Sequence, residues 1–370
     1  MIYYLLIATF LFFGYFTKKP KQYYFISLIL LFLFTGFRDI YLGDYNNKAY
    51  IQAFNVVDKL PQFSFSSNYT FEMGFMLLNS LCKTICNDFR FFQVVYTAIS
   101  IILLHFVIKK MDISYKQRCL FLFVYFCMRF IINNWIILRQ NIAILIIWNL
   151  LLIDKLPLKS SIKKVIIPYV ISCYFHITSM LNILCLYLKN KLILMKKEYT
   201  YVITMIISLS FLFSGTKLFQ PIMNLMMQIG GEKFETYIGS ETNMFNIVYY
   251  IIRIAVFTFL FLYYSKFRYR KKDLLFTINI LAIIFGSINV AIFSRFMEYL
   301  MIGPYLTITV SEEVFSNTNK IGFLLIIYIA MIFILVRSLI TYGNGGLLKY
   351  AFFKEGMNES IERSSYNFKL

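Results

Sequence analysis

Histidine is nearly absent from this chain: His105 and His176 are its two copies in 370 residues. So few imidazoles exclude a multi-histidine metal centre. Acidic charge is also scarce, with 18 Asp and Glu against 37 Lys and Arg, and charged residues of both signs make up 15% of the chain. Against 59% hydrophobic and 19% aromatic residues, and a mean hydropathy of +0.68, that is too little charge to solvate the surface of a soluble core. The six cysteines (Cys82, Cys86, Cys119, Cys127, Cys173 and Cys185) lie in or beside apolar runs and show neither a disulfide framework nor zinc spacing. A Gly-rich phosphate loop and an Asp-x-Asp pair are both missing. Nucleotide hydrolysis and a metal-held sugar nucleotide therefore have no support.

What the chain does have is apolar runs, at 2–16, 22–36, 71–86, 91–108, 119–137, 140–153, 165–188, 199–214, 246–264, 274–292, 296–311 and 321–340. Several fall short of the ~20 residues of a straight span, so some read as half-helices or tilted pairs. The formal charge of +19 would suggest a nucleic-acid partner on a soluble protein. Here 20 of the 37 cations lie in five short stretches between runs: Lys18 to Lys21, Lys109 to Arg118, Lys155 to Lys164, Lys189 to Lys197, and Lys266 to Lys272. Four acids, Asp112, Asp154, Glu198 and Asp273, accompany them, so the stretches carry 20 − 4 = +16 of the total. This is the positive-inside pattern of a polytopic membrane protein, and nucleic acid is not the expected partner. The first run has no basic residue before it and no cleavage pattern after it, and reads as a retained helix.

The expected fold is all-α: a multi-pass bundle of about 10–12 transmembrane helices, some short or re-entrant. A single transmembrane domain is expected over 1–341, with outer loops at 37–70 and 215–245 and a polar tail over 342–370. Crossing parity makes 71–86, with Glu72, Asn79 and Lys83, the best interfacial or re-entrant helix. Parity also splits 165–188 into two short helices turning near His176.

Ionisable residues in or near hydrocarbon cost at least ~2.5 kcal/mol each on insertion scales, so each needs a reason. Arg38, Asp39, Gly43 and Asp44 follow the second run among aromatic residues; they form either an ordinary loop with Arg38 paired to an acid, or a sugar- and phosphate-facing segment. Glu72, in Phe71-Glu72-Met73-Gly74-Phe75, complements a helix N-terminus or serves as an acid at a site. Arg139, followed by Gln140, lies on the side where the charge pattern disfavours cations. It either snorkels to headgroups or offers a guanidinium fork to a pyrophosphate. His176 precedes Ile177, Thr178 and Ser179, and is a structural group or part of a site. Arg295, Glu298 and Tyr299 can share one helix face, as an internal ion pair or as ligands. Arg129 and Arg253 lie deeper in apolar runs and rank lower, and His105 reads as structural. Several arginines, a histidine, a few acids and many tyrosines suit an anionic phosphate attached to a lipid.

These spots, in this order, resemble the EpsG-like branch of the Wzy-type polysaccharide polymerases. The matching residues are Arg38, Gly43, Asp44, Tyr45 and Tyr50; Phe71 to Phe75; Arg139 to Ala143; His176 to Ser179; and Arg295 with Tyr299. In this chain Gly43 and Asp44 are adjacent where the family usually has a residue between them, and Ile177 replaces a proline common after the family's histidine. The resemblance implies a GT-C-like bundle in the bacterial cytoplasmic (inner) membrane, with its active site facing the exterior. It also implies a metal-independent glycosyltransferase without cofactor. Such an enzyme moves a growing glycan from undecaprenyl pyrophosphate to the non-reducing end of a new lipid-linked repeat, in exopolysaccharide, capsule or O-antigen synthesis. Its partners would be undecaprenyl-pyrophosphate-linked oligosaccharide, membrane lipid, and chain-length regulator and flippase proteins. The residues carried over are Arg139, Arg295 and Arg38 for the pyrophosphate, His176, Glu72 and Asp44 as candidates for the base, and Gln140 and Tyr299 as further substrate contacts. Other readings are a flippase for the same lipid-linked oligosaccharide, an O-antigen ligase, or an O-acyltransferase. The flippase lacks support from any internal repeat, and the acyltransferase from any histidine near the first helices.

Overall fold

The computed structural model describes residues 1–39, 46–64, 71–153, 162–214, 245–288 and 295–341, and among these the chain is helical with no β-strand. It divides into two compact units. One comprises Met1–His105, Ser114–Ile142 and the described residues from Leu325 onward; the other comprises Phe106–Ile113 and Ala143–Leu324.

The first unit opens with α1 (Ile2–Phe13) and α2 (Pro20–Gly36), whose Pro20 stands at the first helical position, where its missing N–H costs nothing. Both pack on α6 (Tyr115–Tyr125). Ser114 starts α6 with a capping box: its hydroxyl accepts from Gln117 N–H, and the Gln117 side chain accepts from Ser114 N–H at 3.0 Å. A side chain at Gly14, after α1, would sit 2.8 Å from Cys119 Cβ, so this approach of α1 to α6 requires glycine. A five-residue π turn, Phe126–Phe130, joins α6 to α7 (Ile131–Trp135). Nearly every side chain through this stretch is buried, as expected of a helix apolar on all sides.

The expected outer loop 37–70 contains α3 (Asn46–Val56) and a 3₁₀ turn at Leu60–Gln62. On α3 packs α4 (Met73–Ile85), the short helix expected over 71–86. Lys83 donates to the carbonyls of Asn55 (2.8 Å) and Val57 (2.7 Å) at the end of α3. That accounts for a charge inside an apolar run, because a cation there meets the negative end of the neighbouring helix. Next come α5 (Phe89–Lys110) and α8 (Leu138–Leu151), which begin in this unit and end in the other.

The second unit shows the expected break of 165–188. The helix α9 (Ile162–Phe175) stops before His176, which is extended; a 3₁₀ turn (Ile177–Leu181) and α10 (Asn182–Leu192) follow. The Tyr169 hydroxyl reaches back to the Met180 carbonyl at 2.8 Å. Then come α11 (Lys197–Ser214), α12 (Phe245–Leu262), α13 (Lys272–Gly286), α14 (Ile302–Val310) and the start of α15 (Asn317–Thr341), which belongs to the first unit from Leu325 onward. The central helix is α13, buried from Leu274 to Ile283 and packed on α10, α11, α12 and α14. It approaches α14 at Gly303, where a Cβ would lie 2.9 Å from Ile278 Cγ2. Asn279 of α13 donates to Thr307 of α14 at 2.9 Å, the small-and-polar packing common between apolar helices.

Lysines from three of the basic stretches gather at the C-terminal end of α8. Lys189, fully buried, donates to the carbonyls of Leu151 and Ile153; Lys271 reaches Leu152 and Lys110 reaches Asn149. Among the described residues, α5 and Asn319–Thr341 of α15 are long and apolar enough to cross a membrane. The helices α1, α4 and α8, and Tyr250–Leu262 of α12, are apolar but shorter. The expected outer loop 215–245, apart from Phe245, and the tail 342–370 lie outside the described residues.

Candidate functional site

In the first unit the predicted residues gather at the break between α7 and α8. No proline or glycine causes this break. The hydroxyls of Tyr50 and Tyr96 donate to the carbonyls of Ile136 and Leu138, each at 3.1 Å, so two carbonyls at the break have side-chain partners without water. Asn141, one turn into α8, binds Tyr96 (2.9 Å), Ser100 (2.8 Å) and Asn134 (3.0 Å). Asn133 donates to the Tyr125 hydroxyl at 3.1 Å. These buried amides and hydroxyls tie α5, α6, α7 and α8 together at one level.

Arg139 projects from the second residue of α8, and its Nη1 pairs with Glu72 Oε2; the two side chains are 22% and 20% exposed. Glu72 is the N-cap of α4, yet its carboxylate makes no capping hydrogen bond. The Glu72 carboxylate is thus turned to a side-chain partner while it stands at the N-terminus of α4. The Arg139 guanidinium also lies 4.2 Å from the centroid of the Phe71 ring, which packs with Tyr50 and Phe75. Its Nε is buried and has no hydrogen-bond partner among the described residues. A buried donor left unmet costs about 1–3 kcal/mol, and an anion's oxygen would relieve that cost.

Arg38 is 1% exposed, with its guanidinium 4.9 Å from the centre of the Trp135 ring at the end of α7. It is therefore not a side chain of a wet loop. Gln93 donates to the carbonyls of Gly36 (3.1 Å) and Arg38 (2.9 Å), closing the end of α2. Gln140 is buried beside Arg139. Asp44 lies outside the described residues.

The second unit holds His176, Arg295 and Tyr299. His176 Nδ1 accepts from Thr178 N–H at 3.3 Å and lies 2.7 Å from the Thr178 hydroxyl. That hydroxyl is 3.2 Å from the Tyr299 hydroxyl, to which Ser179 donates at 3.0 Å. Trp148 Nε1 fixes the Tyr299 carbonyl at 3.0 Å. Arg295 opens a short helical turn that becomes 3₁₀ at Glu298–Leu300, so the regular helix face assumed for Arg295, Glu298 and Tyr299 changes geometry within three residues. Nearby, buried Arg253 points Nη1 at Met297 Sδ, 2.8 Å away. Gly286 makes room for it: a Cβ there would fall 2.3 Å from that nitrogen.

The structure thus joins Arg139 to Glu72 and sets Arg38 beside the same break, and it joins His176 to Tyr299. Sequence reasoning missed Tyr96, Ser100 and Asn134, which fix the break with Asn141, and gave no separate role to Asn141 or to Thr178, which orients His176, although both lie within the matching motifs. The available signal was amides in otherwise apolar runs, where each polar group is costly.

The family model described as the EpsG family matches residues 21–352. No curated protein and no solved structure matches the chain.

Proposed function

The chain belongs to the EpsG family, and from that premise we propose that it is a multi-pass membrane polymerase of lipid-linked oligosaccharide repeats in surface polysaccharide synthesis. The membrane reading draws support from how polarity is distributed. Asn133, Asn134 and Asn141 are buried, while Ile321, Leu325, Ile326, Ile329 and Phe333 of α15 are each more than half exposed. Polar inside and apolar outside suits a hydrocarbon surround. The 22-residue α5 is about 33 Å long, enough for a hydrocarbon core of about 30 Å.

In the proposed reaction an acceptor sugar hydroxyl attacks the anomeric carbon of the glycan. The bond from that carbon to the pyrophosphate oxygen breaks with its electron pair on oxygen, and the hydroxyl proton passes to a base. Undecaprenyl pyrophosphate leaves at the outer face of the membrane, and its developing charge needs oriented donors. The observation that carries this reading is Arg139: one arm is held by Glu72, the plane rests on Phe71, and Nε is buried without a partner among the described residues. A guanidinium fixed this way offers a planar fork for phosphate oxygens. Glu72 is then the holder of Arg139 as well as a candidate base, with Asp44 and His176. Arg295 and Arg38 are further pyrophosphate ligands, and Gln140 and Tyr299 further substrate contacts.

The test is Arg139→Ala, scored by gel analysis of surface glycan beside a membrane blot of the variant. The expected result is protein retained at its native level with long-chain glycan lost and single repeats still exported. Normal polymer length from a well-expressed variant overturns the role of Arg139. Repeats trapped inside a deletion strain indicate a flippase instead.

A further inference from the structure

His176 stands among the candidate bases, and its hydrogen bonds bear on whether it can serve as one. A backbone N–H can only donate, so the contact from Thr178 N–H makes His176 Nδ1 an acceptor. A nitrogen bearing a lone pair cannot meet another lone pair at 2.7 Å, so the Thr178 hydroxyl must also give its proton to Nδ1. The Thr178 oxygen then accepts from the Tyr299 hydroxyl, whose own oxygen accepts from Ser179. Each hydroxyl donates once, and the chain runs in one direction: Ser179 to Tyr299 to Thr178 to His176. Run the other way, it would set an Nδ1 proton against the Thr178 amide proton.

We infer that neutral His176 carries its proton on Nε2 and serves the reaction as a hydrogen-bond donor to a substrate oxygen, with Thr178 and Tyr299 as the residues that fix this tautomer. The inference rests on the polymerase reading for its substrate but not for its tautomer. In a neutral ring of this form neither nitrogen is available as a base: Nδ1 is occupied by two donors, and Nε2 already holds a hydrogen. The acceptor's hydroxyl proton then goes to a base other than this ring. His176 stabilises negative charge on an oxygen by donation, and no proton moves from the ring. Trp148, through the Tyr299 carbonyl, and Asn182, which donates to the Ser179 carbonyl at 3.3 Å, hold the ends of the chain in place.

Two histidines make the tautomer directly readable. Protein labelled with ¹⁵N-histidine and carrying His105→Gln has one ring to observe. Its nitrogen shifts near neutral pH are expected to show a protonated Nε2 and an unprotonated Nδ1. Thr178→Val removes one of the two donors to Nδ1 and should weaken the preference for the Nε2–H form without reversing it, and Thr178→Ser should restore the native pattern. A ring protonated on Nδ1 overturns the inference. In parallel, turnover of a synthetic lipid-linked repeat is compared between His176→Ala and His176→Gln, whose amide N–H can replace Nε2–H. Alanine should lower turnover about 100-fold, and glutamine should stay within about tenfold of native. Glutamine as inactive as alanine, in an active native background, overturns the donor role. A native protein with the Nε2–H signature and no turnover of the repeat overturns the polymerase reading and leaves the tautomer standing.

Discussion

Arg139 and Lys189, one in each unit, are both cations drawn into a helical interior, and they are satisfied in opposite ways. Lys189 is wholly buried, and its ammonium meets the carbonyls of Leu151 and Ile153 at the end of α8. Arg139 keeps part of its side chain exposed, gives one arm to Glu72, and holds a buried Nε that no described residue meets. A cation committed to its own chain's carbonyls is part of the scaffold. One with a donor left over has something to offer a ligand. Sequence position suggested a different division: Lys189 belonged to a basic stretch that looked like a solvated orientation signal, and nothing in one dimension marked it as buried.

The sharpest way to break this comparison is Arg139→Lys. Lysine keeps the charge but loses the planar fork, and polymer synthesis should fall at least about 100-fold, or about 2.7 kcal/mol in the barrier. Full activity with lysine would mean that charge alone is needed and would make the two cations alike. Lys189→Met comes next, keeping the apolar stem while leaving the α8 carbonyls unmet. It should cost about 1.5–3 kcal/mol of stability, read as a lowered unfolding midpoint in detergent, with unchanged polymer length in the folded fraction. Loss of activity at unchanged stability would move Lys189 to the ligand side.

The smallest effect belongs to Asp273, which pairs with Lys197 at 2.9 Å and is about half exposed. Partial burial pushes its carboxyl upward, but hydrogen bonds from Tyr264 and Lys197 and the charges of Lys197 and Lys272 outweigh that and hold it below the usual carboxylate value. A depressed carboxylate stabilises the fold above its unfolded pKa, and the contribution disappears as pH falls through the lower folded value. Asp273→Asn should therefore cost less than about 1 kcal/mol between pH 5 and 8, with the two stability curves converging below about pH 4. A difference that persists there would contradict the assignment.

Much of the helical plan was legible. The short helix over 71–86 appears as α4, and the break near His176 appears between α9 and the 3₁₀ turn. Both were readable because charge placement and apolar length are local properties of the chain. The helix α3 was not readable in the expected outer loop 37–70, because the apolar residues of Asn46–Val56 are broken up by Asn47, Lys48, Gln52 and Asn55 and the helix is held by α4. The break at Ile136–Ile137 carries no proline or glycine. It depends on Tyr50 and Tyr96, distant in sequence, supplying hydroxyls to its carbonyls. The members of the candidate site were legible as expensive charges, whereas their partners were not. Glu72 and Arg139 are 67 residues apart, and Thr178 and Tyr299 are 121 apart.

By itself the sequence determined the helical class, the family and the residues whose polarity needs explaining. Apolar periodicity, charge asymmetry and short motifs are written along the chain and survive without knowledge of contacts. Only the tertiary structure decided that Glu72 holds Arg139, that Lys189 caps α8, and that the Tyr299 hydroxyl meets Thr178. Those outcomes depend on which donor meets which acceptor after distant helices have packed. A hydrogen bond is directional over about 3 Å, a scale on which sequence spacing carries no information.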